Sequence, residues 1–453
     1  MRDLTPAQRR IVLARLGSRA ASAPEPVPLL PAQFGIWLFE QLEPGTTAYH
    51  NPAALRLRGR LPHAVVSAAL SALQRRHEAL RARVVELGDG TPAQVVDHAR
   101  DLPLSIVDLR DVPADERETR AHAVAVAAAQ QPFDLLAGPL WRACLIRVSD
   151  DEHVLVVALH HIVSDGWSLT VLLRELAELC AASPAGGTPR LAPLETSYTE
   201  LVRRLVDVDP VEHARLVAHW RDTLAGAPHG VPLRRDADPA TVTTAGATVS
   251  LTLDADVVTA LERRCRAGRT STFCGLFAAF AGMLSAHTSA RDLVVMTPVA
   301  LRDEPGAGAL VGCFLNTVPV RLRIAERRSA AALLAEAHRA LADALSHSAL
   351  PLGELVAASD ATSAEAISNV MFLHGNATVG ATRVGELELE RYELPVVASK
   401  HDWALLVSLE PQRVTGSFEY RSDRFSRASA ERAAADFCAY ARALAAGEPA
   451  PPR

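Results

Sequence analysis

The sequence predicts an α/β (α+β) protein built from two similar lobes, and three observations support this. The chain length of 453 residues suggests two to three domains. Residues 154–159 form an unbroken apolar run typical of a strand buried on both faces, and residues 169–179 then carry leucines and a valine at helical spacing. Residues 247–298 read as strand, helix, helix and strand, an order similar to that of the first half.

Hydrophobic periodicity and turn residues predict the other elements. In the first half we expect strands near 53–57, 81–87, 92–97, 103–108, 140–148 and 153–160, and helices near 62–76 and 114–130. In the second half we expect helices near 196–207, 210–224, 254–266, 271–287 and 428–446, and strands near 247–253, 292–298, 367–373, 387–394, 404–409 and 414–421.

The expected domain organisation follows from two breaks in this pattern. Residues 4–18 predict a short leader helix, which an Ala/Pro-rich linker joins to the rest of the chain. A Pro/Gly/Ala-rich stretch over residues 184–193 is the best candidate for a boundary between lobes. We therefore expect a leader and linker over 1–27, an N-terminal lobe over 28–185 and a C-terminal lobe with bridging loops over 186–453.

The composition argues against several classes of function. The 47 basic and 52 acidic residues give a net charge of -5, and the arginines are spread along the chain, so we expect no nucleic-acid interface. The six cysteines have no CxxC spacing, which indicates reduced core residues rather than a metal site or disulfide framework. No apolar run approaches the roughly 18 residues of a membrane span. We expect a soluble, cytoplasmic protein with no membrane contact.

A polar cluster follows the predicted strand that ends near residue 160. His161 and Asp165 lie four residues apart, and Gly166 would permit a tight turn between strand and helix. An imidazole titrates near neutrality and suits removal of a proton from an amine or a hydroxyl. The alternative is that a histidine only ends the strand while Asp165 caps the helix. Alternation along the strand end should direct the rings of His160 and His161 to opposite sides.

This cluster resembles a motif of a known family. His160-His161-x-x-x-Asp165-Gly166 is similar to the HHxxxDG motif of nonribosomal peptide synthetase condensation domains. Epimerisation domains share that motif, and chloramphenicol acetyltransferase and plant acyltransferases share the shorter HxxxD. Residues 311–321 resemble a second condensation motif, (I/V)GxFxNTxxxR, at every fixed position. Weaker matches are Gln33 and Trp37 of the first motif, residues 76–81, Tyr198, and Pro351 with Glu354.

The resemblance covers roughly residues 28–446 and implies a fold and a reaction. It implies two chloramphenicol-acetyltransferase-like lobes that form a V-shaped pseudodimer with a tunnel between them. The phosphopantetheine arm of a carrier protein would enter this tunnel and present an acyl thioester to an amine or hydroxyl. Since the thioester is already activated, the resemblance implies no ATP, no metal and no intrinsic cofactor beyond the arm that the carrier delivers.

The resemblance also assigns roles to site residues. It places His161, His160, Asp165 and Gly166 in the catalytic motif, with His161 as the histidine that faces the tunnel. It pairs Asp165 in a structural salt bridge with an arginine after the strand at 292–298, for which Arg302 is the best candidate. The remaining residues expected at the tunnel or its floor are Trp167, Ser168 and Asn316.

The expected function is that of a free-standing condensation enzyme, since no adenylation or carrier domain accompanies the matched region. Its donor would be an acyl or aminoacyl group on a peptidyl carrier protein, and its acceptor a small diffusible amine or alcohol. A second carrier protein as acceptor is the first alternative. A non-catalytic recruitment domain of the same fold is another, although such domains generally have a degraded motif. The signatures expected of epimerisation, heterocyclisation (DxxxxD) and plant acyltransferase (DFGWG) members are absent from the sequence.

Overall fold

Two six-stranded sheets with helices packed on them form the body of the protein. The structure is a computed structural model that describes residues 24–182, 191–238, 243–325, 329–359, 361, 363–375, 382–385, 387–410 and 412–448. The predicted leader helix at 4–18 lies outside the described residues, as does most of the Pro-rich break after residue 183. In the described part of the chain, no helix has the length and apolar character needed to cross a membrane.

The first lobe is built mainly from the N-terminal half. Its helices are α1 (Pro31–Leu42), α2 (His63–Arg76), α3 (Arg117–Gln130), α4 (Gly166–Ala182) and α5 (Tyr198–Val206). Its strands are β1 (Val27–Pro28), β2 (His50–Arg58), β3 (Ala82–Glu86), β4 (Pro92–Val96), β5 (Ser105–Asp108), β6 (Trp141–Arg147) and β7 (Glu152–His160). β1, β4 and β3 form a small separate sheet.

Strand β7 occupies the middle of the first large sheet. It pairs antiparallel with β2 and β6 on its two sides. Leu155, Val157 and Leu159 enter one apolar core, while Val154 and Val156 enter a second core on the opposite face. The strand is thus buried on both faces, as its unbroken apolar run predicts. A strand held in this way gives a rigid support to the loop that follows it.

The second lobe repeats the plan with a different strand order. Its helices are α6 (Pro210–Leu224), α7 (Ala255–Ala267), α8 (Thr272–Thr288), α9 (Ala330–Ser346), α10 (Leu352–Ala357), α11 (Ala364–Ile367) and α12 (Arg427–Ala446). Its strands are β8 (Gly246–Leu253), β9 (Asp292–Ala300), β10 (Leu315–Arg323), β11 (Val370–Gly375), β14 (Trp403–Glu410) and β15 (Arg413–Arg421), in the order β10-β9-β11-β14-β15-β8. Helix α8 is buried along most of its length, and its Phe277 and Phe280 pack on Phe372 of β11.

Two segments from the second half of the sequence belong to the first lobe. Strands β12 (Thr382–Val384) and β13 (Leu387–Arg391) extend the first sheet, where Leu389 of β13 lies opposite Leu57 of β2. Apolar side chains of α5 also enter the first core. The expected division at residues 185 and 186 assigned both segments to the C-terminal lobe. The structure instead places them in the first lobe, because their apolar faces are buried there.

Most predicted elements lie within a few residues of the observed ones. The sequence did not predict helices α1, α9, α10 and α11 or strands β1, β10 and β12. The strand predicted at 367–373 begins only at Val370, because Ala364–Ile367 forms a short helix capped by the Ser363 hydroxyl. Serine is among the side chains that most often start a helix in this way.

The pairing of β13 with β2 in the first sheet generates a stability prediction. Leu389 is 3% exposed, so Leu389→Ala should lower the free energy of unfolding by about 2–5 kcal/mol through lost burial and a new cavity. Glu390→Ala is the matched control, because Glu390 pairs with Arg58 across a surface where the two side chains are 50% and 46% exposed. Its effect should stay below about 1 kcal/mol. Urea unfolding measures both, and equal losses would contradict the assignment of this strand to the core.

Candidate active site

The polar cluster lies on a short turn between β7 and α4. The turn runs as a 3-10 helix over His161–Val163, and α4 begins at Gly166. The Asp165 carboxylate caps α4, since its Oδ1 accepts a hydrogen bond from the Ser168 amide at 2.7 Å. The Ser164 hydroxyl donates to the carbonyl of His160 at 3.0 Å. Side chains of the turn therefore satisfy its own backbone and fix the path of the chain.

The His160 side chain is buried and hydrogen-bonded inside the protein. The residue is 1% exposed, and its Nε2 lies 3.1 Å from a carboxylate oxygen of Glu40. Its Nδ1 accepts a hydrogen bond from the Ile162 amide at 3.2 Å. With Nδ1 as acceptor and Nε2–H as donor to Glu40, both ring nitrogens are occupied. His160 is thus placed to hold the turn, and no ring nitrogen remains free for a substrate.

His161 has the opposite environment. Its side chain is only partly exposed, and its Nδ1 has no hydrogen-bond partner from another described residue. Its backbone amide donates to the Tyr49 carbonyl at 2.8 Å, and its ring meets the Tyr49 ring edge-on at 6.3 Å between centroids. Burial, and then the nearby Lys400 ammonium, lower the pKa of His161 to about 4, although the Asp165 carboxylate acts in the opposite direction. The imidazole is therefore neutral at neutral pH and able to accept a proton.

Gln33 of α1 supports this turn, a role that the sequence did not predict. Its buried Nε2 donates to the Ile162 carbonyl at 2.7 Å and to the Tyr198 hydroxyl at 2.9 Å. Tyr198 in turn donates to Gln94 at 2.7 Å. These contacts connect Gln33 to the backbone of the turn and to α5.

Asp165 and Arg302 form a buried ion pair. Arg302 Nη2 lies 2.9 Å from both carboxylate oxygens, and the two side chains are 6% and 5% exposed. The Phe314 amide donates to Asp165 Oδ2 at 3.1 Å. On the other side, Arg302 Nη1 donates to the carbonyls of Ala307 and Leu310, both at 2.8 Å. The pair therefore joins the His turn of the first lobe to the loop that follows β9 of the second.

Two residues expected at the tunnel or its floor have their polar groups occupied inside the protein. Ser168 Oγ is fully buried, lies 2.7 Å from both Asp165 Oδ1 and the Gly312 carbonyl, and accepts from the Gly312 amide at 2.9 Å. Asn316 Nδ2 donates to the carbonyls of Ser348 and Leu350, while its Oδ1 accepts from the Leu352 amide. These contacts hold loops together, and the expected place of both side chains at the tunnel or its floor stays a prediction.

Gly166 and Trp167 remain at the surface of the turn. Gly166 does not have a positive φ, and a Cβ atom there would meet nothing within 4 Å. The backbone of the turn therefore does not depend on the φ freedom of glycine at this position, and a larger side chain would fill the open space beside Gly166. The expected place of Gly166 in the catalytic motif stays a prediction. Trp167 is 43% exposed, and its indole nitrogen donates to the Gly308 carbonyl at 2.9 Å. Its expected place in the tunnel stays a prediction.

Lys400 is a site residue to which the sequence assigned no role. Its Nζ lies 4.3 Å from the centroid of the Tyr49 ring, the same ring that meets His161. Burial lowers the pKa of Lys400, whereas Glu419 and Cys313 favour its charged form. Burial also raises the pKa of Tyr49 to about 12, which keeps the phenol neutral. The signal that could have revealed Lys400 was composition, because it is the single lysine of the chain.

In the described part of the chain, three potential metal ligands meet away from the His turn. Donor atoms of His219, Asp343 and His347 lie within 4.8 Å of one another. The two imidazoles are stacked with centroids 3.4 Å apart and planes only 6° from parallel, so no ion can lie in the plane of both rings. Arg215 Nη1 also lies 3.0 Å from His347 Nε2. A guanidinium thus occupies a position that a cation would need, and these side chains do not fit a metal ion.

The buried ion pair generates a second prediction. Asp165→Ala leaves the Arg302 charge buried without a counter-ion, so the free energy of unfolding should fall by about 3–5 kcal/mol. The control is Glu178→Ala, which removes the partner of Arg174 from an exposed pair and should cost less than about 1 kcal/mol. An Asp165→Ala/Arg302→Met double variant should lose less than the sum of its single variants, because no buried charge remains. Equal effects of the Asp165 and Glu178 substitutions in urea unfolding would contradict this account.

The sequence matches known proteins along nearly its whole length. Residues 24–448 match the family model for the condensation domain. Phosphinothricin tripeptide synthetase PhsC of Streptomyces viridochromogenes is 33% identical over 464 aligned residues, which cover 98% of this chain and 42% of that synthetase. Isonitrile lipopeptide synthase of Mycobacterium tuberculosis is 33% identical over 428 residues, which cover 90% of this chain and 17% of that synthase. The chain thus spans less than half of each relative.

Solved structures show the same architecture. The X-domain from teicoplanin biosynthesis has a TM-score of 0.81 at 25% identity and covers 95% of this chain and 98% of its own. SgcC5 from Streptomyces globisporus has a TM-score of 0.78 at 25% identity and covers 93% and 99%. The first condensation domain of the calcium-dependent antibiotic synthetase has a TM-score of 0.81 at 22% identity, with 95% and 98% covered. The fold is therefore the predicted pair of chloramphenicol-acetyltransferase-like lobes, and this chain belongs to the condensation domain family of nonribosomal peptide synthetases.

Proposed function

We propose that the chain is a condensation enzyme that acts on its own to transfer an acyl or aminoacyl group from a carrier-protein thioester to an amine or hydroxyl, forming an amide or an ester. The observation that carries this proposal is the state of His161. Its imidazole is neutral, only partly exposed and without a partner on Nδ1 among the described residues, at the end of a strand that cannot move without disturbing two cores. Such a group is suited to accept a proton from an attacking nucleophile.

The reaction needs one proton moved and one carbonyl attacked. The acceptor nitrogen or oxygen forms a bond to the thioester carbon as His161 takes its proton. The resulting tetrahedral intermediate collapses, the carbon–sulfur bond breaks, and the phosphopantetheine thiolate leaves with the electron pair. The imidazolium returns its proton to the sulfur, so that His161 is neutral again and the products are the amide or ester and the free thiol. The phosphopantetheine arm belongs to the donor, and the protein supplies no cofactor of its own.

The donor is proposed to be a carrier-bound acyl group, and the partner therefore a peptidyl carrier protein. The similarity to much longer peptide synthetases supports this choice. Coenzyme A carries the same phosphopantetheine arm and is the alternative. The starter condensation domain of rhizomide synthetase RzmA, which shares the fold at 21% identity, was solved with C8-CoA. A carrier protein adds a surface that coenzyme A lacks, and we expect that surface to add affinity.

The acceptor is proposed to be a small diffusible amine or alcohol. SgcC5, whose structure this chain covers over 99% of its length, was solved with a naphthyl ethanediol, a small molecule with two hydroxyls. A related chain can thus hold a free alcohol. The alternative acceptor is an aminoacyl group on a second carrier protein, which would need a further protein surface at the other mouth of the site.

A non-catalytic recruitment role is the competing function. The X-domain from teicoplanin biosynthesis has this fold and was solved in complex with OxyB. Against this role, the chain retains both histidines, Asp165 and Gly166, and the Asp165–Arg302 pair holds the His turn in a defined position. A non-catalytic recruitment domain does not require a neutral, partly exposed base, so the environment of His161 favours catalysis.

The two adjacent histidines allow a crossed test of catalysis. His161→Ala should lower kcat about 100- to 10,000-fold with little change in the unfolding midpoint, because the ring makes no side-chain hydrogen bond to another described residue. His160→Gln should instead lower the unfolding midpoint, since it disturbs the contacts with Glu40 and the Ile162 amide. Turnover by the His161→Ala variant within a few-fold of wild type would remove the assignment.

A substrate panel tests donor and acceptor together. Matched acyl-carrier and acyl-CoA donors are offered with free amines, free alcohols and aminoacyl carriers, and products are identified by mass spectrometry. We expect a higher kcat/KM for the carrier-bound donor and product with at least one free acceptor. Equal or better use of acyl-CoA would reject the donor assignment. Product only with aminoacyl carriers would reject the diffusible acceptor, and no product in any arm would favour the recruitment role.

A further inference from the structure

Lys400 is chemically exceptional within this chain. Of the 47 basic residues, 46 are arginines and one is a lysine. The two side chains are not equivalent, because an ammonium is compact and its pKa responds to burial, whereas a guanidinium is planar and stays charged. A chain that uses arginine at every other basic position has lysine where the Nζ lies over the ring of Tyr49, the ring that meets His161. This placement indicates a function that depends on the ammonium itself.

The backbone around Lys400 is fixed, so its side chain has a defined origin. The segment preceding β14 is held to the residues before β8, where the Gly246 amide donates to the Val397 carbonyl and the Ser399 amide to the Thr244 carbonyl, at 3.0 and 2.8 Å. The buried Ser399 hydroxyl then donates to the carbonyl of His401 at 2.9 Å. From this anchored position the Lys400 side chain extends to the ring of Tyr49. The backbone carbonyl of Tyr49 accepts a hydrogen bond from the amide of His161.

The surroundings of Lys400 and His161 oppose the protonation of both side chains at the same time. Among the described residues, no carboxylate forms an ion pair with Lys400. Glu419 and Cys313 favour its charged form from a distance, and burial opposes it and raises the pKa of the Glu419 carboxyl. The groups that act on the imidazole are Asp165, which favours a proton there, and Lys400 and His160, which oppose one. His401 stays neutral, because burial and then Lys400 lower its pKa to about 3.

We propose that Lys400 is a positioning residue whose ammonium, held over the Tyr49 ring that meets His161, keeps the His161 imidazole unprotonated and ready to accept a proton from the acceptor. This inference rests on the proposed function for its role in turnover, but the pairing of the two groups can be measured without substrate. Lysine is intrinsically the stronger base by about four pH units, and burial lowers the pKa of both groups, so we expect Lys400 to take the first proton. A second proton on His161 then meets like-charge repulsion in a poorly solvated site.

The direct test is an NMR titration of the folded protein. Selective ¹³C labelling of lysine gives one resonance, since the chain has one lysine, and ¹³C labelling of histidine follows His161 through comparison with the His161→Gln variant. We expect Lys400 to lose its proton at a higher pH than His161 does. In Lys400→Met the protonated fraction of His161 at pH 5 should rise about tenfold, the order expected for one nearby unit charge at an effective dielectric constant of about 20. Lys400→Arg, which keeps the charge, should leave His161 unprotonated at that pH.

The controls separate this effect from general loss of charge or fold. Arg174→Met removes an exposed cation from α4 and should leave the His161 titration unchanged. Lys400→Gln provides a second neutral variant if Lys400→Met does not fold. An unchanged His161 titration in the folded neutral variants, or deprotonation of Lys400 at a lower pH than His161, would overturn the proposal. Neither outcome depends on condensation activity, so failure of the proposed function is distinguished from failure of this inference.

If the chain is active, kinetics give an independent readout. With an alcohol acceptor, which does not itself titrate in this range, the acidic limb of the kcat/KM profile should move to higher pH in Lys400→Met and stay in place in Lys400→Arg. In a His161→Ala background, Lys400→Met should have no further effect on kcat, because Lys400 acts through His161. An independent loss in that background would show that Lys400 acts by another route and would overturn the positioning role.

Discussion

The position of His161 depends on the buried pair of Asp165 and Arg302. Burying two charges is costly unless the remaining hydrogen-bonding groups of both find partners. Here the carboxylate also accepts from the amides of Ser168 and Phe314, and the guanidinium also donates to the Ala307 and Leu310 carbonyls, so that Arg302 Nε is the atom of the pair left without a partner among the described residues. The same set of bonds closes the start of α4, the loop after β9 and the approach to β10. One ion pair thereby fixes parts of both lobes around a single imidazole.

Two adjacent histidines acquire different properties because the strand end directs them to different surroundings. His160 finds Glu40 and a backbone amide in the first lobe, and both of its nitrogens are occupied. His161 finds an aromatic ring, an ammonium and little solvent, so it stays neutral and incompletely hydrogen-bonded. Leaving a buried polar atom unpaired costs stability. That cost is tolerable here because other groups of the turn, including the Ile162 carbonyl held by Gln33, are hydrogen-bonded.

Local patterns in the sequence predicted the structural elements that depend on residues close together in the chain. The buried strand β7 and the helix after it follow from periodicity alone. The contact between Asp165 and Arg302, 137 residues apart, was expected only through resemblance to a family. The exchange of β13 into the first sheet, the support from Gln33 and the position of Lys400 depend on long-range packing. The hydrogen bonds that the side chains of Ser168 and Asn316 make with backbone groups likewise depend on the fold, because their partners are distant in sequence.

The electrostatics of the site bear on the kind of acceptor it can serve. A neutral amine already carries a nucleophilic lone pair and can lose its proton after attack, whereas an alcohol must lose its proton as it attacks. An alcohol therefore depends more on a base that is unprotonated and close at hand. In the proposed arrangement, a neutral His161 near a charged Lys400 supplies such a base over a wider pH range than an isolated imidazole, whose pKa is near 6.5. The lower pKa also makes His161 a weaker proton acceptor. More of the base is unprotonated at a given pH, but the driving force for proton transfer to it is smaller. That balance suits a thioester, because an already activated carbonyl needs less assistance from the base.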